Sequence, residues 1–284
     1  MAGHLCQVLT HSRFSYSARR HMTKYGAPGW QSTGALSAVM WAEMGFLGDT
    51  SLIDDPEHGF WKFVGFDGWE PEGVLKDIGQ KWFFDKINLK PYPCCRMLHG
   101  ALDCLISIRD ENQLAPKDIT SIVAYCHPTV EEPVFTNRQL ESTVDATFNF
   151  AYLASLVAHR VPVGVEWQDA DNMRNPGIRA FMDRVALRPN TGMGGGEEMI
   201  GEKAHHSFVE VHARGSLFRA DRARPRGSQG TDYELSESEL EEKFRHNAQR
   251  VLTHDQCERA LELLLGLEKV SHSTDVMRQI SIGR

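Results

Sequence analysis

Lys90-Pro91-Tyr92-Pro93-Cys94-Cys95-Arg96-Met97-Leu98-His99 is the stretch on which the reading of this chain turns. The residue before a proline is pushed out of the α region, so Lys90 and Tyr92 enter extended. Pro93 suits a place at or just before a first helical turn. From Cys94 onward Leu98, Ala101, Leu102, Leu105 and Ile108 recur at helical spacing. The stretch therefore predicts a cationic, extended entry into a helix whose first turns carry Arg96 and His99. Free amides at such an end, here those of Cys94 to Met97, bind carboxylate or phosphate. With a lysine and a histidine added, the arrangement suits a small polyanion that undergoes proton transfer. The blander alternative is a common proline-rich helix entry, with His99 on the surface or satisfied in the core.

Downstream, Ile119 to Cys126 is β-branched-rich and reads as a strand stopped by His127-Pro128. Residues 129–140 read as loop or short helix. Thr143 to Arg160 predicts one strong helix with Val144, Phe148, Tyr152 and Leu156 along a face. Residues 167–172 read as a loop, 176–185 as a helix and 185–188 as a short strand. The glycine run at 191–196 lacks the strand and helix of a phosphate loop and reads as a mobile connection. Strands at 206–214 and 217–223 flank Gly215-Ser216, a two-residue hairpin signal. Ser236-x-x-Glu239 and Thr253-x-x-Gln256 are capping boxes that open two more helices, and a short one is expected near 274–280.

Upstream, 4–23 reads as a helix broken by Gly26-Ala27-Pro28-Gly29. Ser32 or Thr33 then caps a helix to about Met44, with Ala35, Leu36, Val39 and Met40 inward and Gly45 as its stop. Short helices are expected at 51–54 and 74–78, a helical turn at 58–63, turns at 65–73, and a strand at 82–87. The order is helical, then mixed, then helical. It predicts an α+β protein: a discontinuous all-helical domain (1–88 and 235–284) with a smaller α+β lid (89–234) inserted into it. A cleft between such domains is a usual place for a small-molecule site.

The 284 residues allow one large domain or two. A net charge of −7 argues against nucleic acid as partner. No apolar run approaches the roughly 20 residues that span a bilayer. The six cysteines, at 6, 94, 95, 104, 126 and 257, form no C-x-x-C pair and no secreted disulfide framework, and no metal-ligand spacing appears among the histidines. The expected location is cytoplasmic. No acidic residue precedes Glu43, and an acid-poor, Arg/Ser-rich start is what a transit peptide to the mitochondrial matrix looks like. A basic amphipathic helix of the mature domain is the preferred reading.

Several segments, in order, resemble the MmgE/PrpD family, which includes 2-methylcitrate dehydratase, cis-aconitate decarboxylase and iminodisuccinate epimerase. Gly29-Trp30-Gln31-Ser32-Thr33-Gly34-Ala35, then Ala38, Ala42 and Gly45-Phe46, is similar to the family's G-W-A-A-x-x-G helix ending in G-F-x-G. Lys90 to Cys95 with His99 resembles its K-P-Y-P-x-C-x-x-x-H entry. Phe148-Asn149-Phe150-Ala151-Tyr152 resembles F-S-x-x-Y. Leu240, Lys243-Phe244 and Val251-Leu252, then Leu267-Glu268, resemble its final helices. The resemblance covers about 24–280, and it implies that the chain lacks the first half of the family's helical domain.

It also implies the same fold and proton chemistry without a cofactor or metal on di- or tricarboxylic acids, in propionate metabolism for the dehydratase branch. Lys90 falls on the family's active-site lysine and Tyr152 on its active-site tyrosine. Cys95 sits where the decarboxylase branch has a catalytic histidine, and Thr33 where that branch has another lysine. The expected catalytic set is Lys90, Tyr152 and His99, with Arg96, Cys95 and Thr33 binding substrate. The expected reaction is elimination of the 2-methylcitrate dehydratase type. Decarboxylation, epimerisation, or a non-catalytic chain that needs a partner are the alternatives. A homodimer or a complementary subunit is expected to cover apolar faces such as that of 35–44.

Overall fold

The structure, a computed structural model, describes residues 23–52, 55–63, 72, 76–82, 84, 87–191 and 206–281. The chain divides into two compact units, 1–85 and 86–284. No helix among the described residues is long and apolar enough to cross a membrane.

In the first unit α1 spans Thr23–Glu43 and α2 spans Phe60–Phe63, the helical turn expected there. The Gly26–Gly29 break does not occur, because Pro28 lies inside α1. Only its second turn is affected, at the loss of one bond to the carbonyl four residues back. Ser32 and Thr33 therefore do not cap. Their hydroxyls donate to the carbonyls of Pro28 and Gly29 at 3.0 and 2.9 Å. Gly45 stops the helix as read. At φ +85° it donates to Ala42, and Phe46 donates to Trp41, the paired bonds of a Schellman end. The expected inward face is corrected: Ala38 is buried, while Leu36, Val39, Met40, Trp41 and Met44 are exposed. Residues 76–80 form a turn. The described residues among 82–87 form no strand, with Trp82, Phe84 and Ile87 exposed. A strand without a ladder partner has nothing to satisfy its backbone. The helix at 4–22 and the segments 53–54, 64–71 and 73–75 lie outside the described residues.

The second unit opens with a 3-10 turn at Arg96–Leu98 that runs into α3 (His99–Glu111). Leu98, Ala101, Leu102, Leu105 and Ile108 are buried, as their spacing requires. Strand β1 (Ile119–Cys126) follows, then α4 (Pro133–Thr136), α5 (Thr143–Phe148), α6 (Phe150–Ala158), α7 (Ala170–Arg174), α8 (Pro176–Phe181) and β2 (Val185–Pro189). Next come β3 (Ser207–Ala213), β4 (Ser216–Arg222), α9 (Glu237–Ala248), α10 (His254–Leu265) and α11 (Ser273–Ile280). One sheet has the order β2-β1-β3-β4, with β1 and β2 parallel and the other pairs antiparallel. Helix α3 lies on β3 and β4, and α6 packs beside it and on β2, so the core sits between this helix pair and the sheet. The unit is mixed α and β.

Three expectations shift. Thr143 to Arg160 is two helices, because Asn149 leaves the helix at ψ 105° and its side chain accepts from the Tyr152 amide. Residues 165–168 form a 3-10 turn and 170–174 form α7, where a loop was expected. The hairpin turns on Arg214-Gly215, both at positive φ, with Ala213 opposite Ser216. That is the geometry of a type I′ turn, placed one residue earlier than read. Both capping boxes form. Residues 192–205, with most of the glycine run, lie outside the described residues.

Candidate active site

Two chain segments cross beside Lys90. The Leu89 amide donates to Gly227 O at 2.8 Å, and the Gln229 amide to Asn88 Oδ1 at 3.0 Å. Gly227 has φ +81°, and a Cβ there would fall 2.1 Å from Leu89 O, so the crossing requires glycine. Arg96 ties the crossing together. Its guanidinium donates to Leu89 O (3.0 Å), Arg226 O (2.6 Å), Pro225 O (3.4 Å) and Ser228 Oγ (2.9 Å). Arg96 was expected to bind substrate, and its two terminal nitrogens instead bond the protein. Burial lowers its proton affinity, partly offset by the charge of Asp103.

Beneath the crossing lies a buried polar stack. Tyr92 OH donates to Asp103 Oδ1 at 2.5 Å, and the Arg226 amide donates to Asp103 Oδ2 at 2.8 Å. Burial raises the Asp103 carboxyl above the usual carboxylate range, against those two bonds. Burial, then the Asp103 charge, raises the Tyr92 phenol. The Tyr92 ring stacks on Trp167 (5.8 Å between centroids, 2° between planes) and meets the edge of His99 at 5.0 Å.

His99 is fully buried, with Nε2 3.4 Å from Cys94 O. Tyr152 is also fully buried, and its hydroxyl donates to the Trp167 carbonyl at 3.0 Å. Burial raises its phenol as well. The helix-end amides expected to hold an anion are in part spent: Cys94 N bonds Tyr92 O and Cys95 N bonds Thr147 O. Cys95 is half-buried, and burial pushes the Cys94 thiol up. None of the described cysteines is disulfide-bonded. Thr33 belongs to the other unit and is exposed on α1. The structure thus joins Lys90, Cys95, Arg96, His99 and, through Trp167, Tyr152 into one neighbourhood.

A cavity of about 560 Å³ opens against this neighbourhood, lined among others by Tyr92, Arg226, Glu239, Glu242, Lys243 and His246. Arg226 pairs with Glu239 across it. Lys243 on α9 donates from Nζ to the Lys90 carbonyl at 2.5 Å. Burial and then the Lys90 charge lower the proton affinity of Lys243. Neither lysine has an acidic partner among the described residues. His246 Nε2 lies 2.8 Å from Glu166 Oε2, and Arg250 reaches the other oxygen of that carboxylate at 3.0 Å. Burial alone would raise Glu166, but the bond from His246, then those from its own backbone amide and Arg250, hold it down at about 2.

Lys243, His246, Glu166 and Asp103 were missed as site residues. The available signal was the i, i+3 spacing of Lys243 and His246 on a capped helix, which places both on one face. Their partners lie more than 70 residues away in sequence, at Lys90 and Glu166. Three or more His, Cys, Asp or Glu able to hold a metal do not meet among the described residues.

Residues 92–269 match the sequence model of the MmgE/PrpD C-terminal domain. Human cis-aconitate decarboxylase is 24% identical over 246 residues, which is 82% of this chain and 47% of that protein. The chain therefore spans about half the length of the curated relative it matches.

Proposed function

This chain belongs to the MmgE/PrpD family, and from that premise we propose that it is a lyase acting on a small di- or tricarboxylic acid. The favoured reaction is elimination of water, of the 2-methylcitrate dehydratase type, by acid–base chemistry of side chains. The observation that carries the reading is the Lys243 ammonium, which lines a cavity of about 560 Å³ and feels the nearby charge of Lys90, neither lysine having an acidic partner among the described residues. Two cations in such a place suit a substrate with two carboxylates. Lys90 is the proposed catalytic lysine. Tyr152 and His99, expected as acid–base groups, do not line this cavity, so in this reading they hold Trp167 and Tyr92 in position. The same reading makes 89–234 a lid inserted into a discontinuous helical domain, and gives the exposed apolar row of α1 to a second copy of the chain.

The test is a spectrophotometric assay of the whole chain with 2-methylcitrate and citrate for alkene formation, and with cis-aconitate for its loss. Turnover that Lys90→Ala cuts at least about 100-fold in a folded protein supports the reading. Carbon dioxide released from cis-aconitate moves the assignment to decarboxylation. Exchange of substrate hydrogen with solvent without net reaction moves it to epimerisation. A folded, monomeric chain with no turnover on any of these acids retires both the lyase and the second copy.

A further inference from the structure

The proposed reaction needs a group that moves a proton, and the two expected ones are sealed in the core. One imidazole does line the cavity. His246 stands three residues after Lys243 on α9, so both share a face of the helix. Its ring is held on two sides. Glu166 bonds Nε2 at 2.8 Å. Gly164 leaves room for the ring, since a Cβ there would fall 2.5 and 2.6 Å from His246 Cδ2 and Nε2. Glu166 is itself fixed by Arg250, which also bonds Asp169 at 2.9 Å. A carboxylate ionised to such low pH only accepts hydrogen bonds, so the proton of the neutral imidazole sits on Nε2 and the lone pair on Nδ1.

The geometry points to a second half of the site on α9: Lys243 holds a substrate carboxylate, and His246, seated by Gly164 and Glu166, moves the proton. The inference rests on the lyase reading and assigns that reading two residues outside the Lys90 stretch. Of the two acids lining the cavity, Glu239 pairs with Arg226, and neither bonds Lys243. In the elimination, Nδ1 takes the proton from the carbon next to a carboxylate. The electron pair of that C–H bond becomes the second bond of the alkene as the C–O bond breaks. The departing hydroxide takes the proton back from Nδ1, leaves as water, and the imidazole returns neutral. Glu166 acts through His246 and is a positioning residue.

Two measurements on the whole chain test this. The first is calorimetric binding of tricarballylate, which has the carboxylates but no hydroxyl to lose. Lys243→Gln is expected to weaken it about tenfold or more, and unchanged affinity, or no binding by the parent chain, overturns the clamp. The second is turnover of 2-methylcitrate, with deuterium entry from D₂O as a parallel readout. His246→Ala is expected to lower kcat at least about 100-fold with KM little changed, and added imidazole is expected to restore part of the loss. Such rescue does not follow from a merely structural role. Parental turnover in His246→Ala overturns the proton-transfer role. Deuterium entry without net reaction sinks the lyase reading but supports the inference if His246→Ala abolishes it. A parent chain that binds tricarballylate yet neither turns over nor exchanges overturns the role of His246.

Discussion

Tyr92, Asp103 and Glu166 show how single residues set this site. Tyr92 spends its hydroxyl on the buried Asp103 carboxyl, which also accepts from the Arg226 amide. Tyr92→Phe leaves that carboxyl short of a bond, and we expect a loss of about 1–3 kcal/mol in urea unfolding. Glu166 makes a pH-dependent contribution of the opposite kind to a buried, raised acid. Its folded pKa of about 2 lies below the ordinary 4.5. The stability it contributes is therefore complete above the ordinary value and disappears as pH falls from there toward 2. The melting-temperature gap between the parent and Glu166→Gln is expected to close over that window. A gap constant from neutral pH down to 2 contradicts the ion pair. The extended, cationic entry at Lys90 was legible from its own stretch, because proline sterics, charge and helix onset are all local. The pairing of His246 with Glu166 was not, because Glu166 comes from another element.

Elements are set by caps as much as by periodicity. The capping boxes at Ser236 and Thr253 were readable because three residues contain the whole device. Asn149 was not readable, although it divides what looked like one helix. The apolar face continues across it, with Phe148, Ala151 and Tyr152 all buried, so the spacing records no interruption. Its side chain accepts from the Tyr152 amide and also donates to Asn137 O. Asn149→Ala is expected to cost about 1 kcal/mol for the cap, up to about 2, read from the urea midpoint. A neutral substitution means that α6 holds its start by packing alone. Pro28 carries the converse lesson. A proline in an early turn removes one bond, and the helix around it survives.

At the scale of the whole molecule, the crossing of 88–91 with 225–229 joins the entry to the α+β segment with its exit. Arg96 and Gly227 hold it. Gly227→Ala puts a methyl group against Leu89 O in a left-handed conformation, and we expect a loss of at least about 2 kcal/mol. Faster hydrogen exchange at the amides of Leu89 and Gln229 is the local readout, and unchanged protection there shows that the crossing is not held by this contact. The same crossing brings Pro91 and Tyr92 to the cavity that α9 lines from the other side.

The sequence by itself determined the α+β class, strand β1, the buried face of α3, both capping boxes and the Lys90 stretch. Each is written in neighbours within a few residues, where backbone sterics and side-chain period act directly. Only the tertiary structure decided which polar groups are exposed. It sealed Tyr152 and His99 under Trp167 and Tyr92, turned Arg96 from an anion binder into a brace between two chain segments, and set Lys243 and His246 at the cavity. Burial and pairing depend on residues distant in sequence, and desolvation and hydrogen bonding decide which side chains remain available for chemistry.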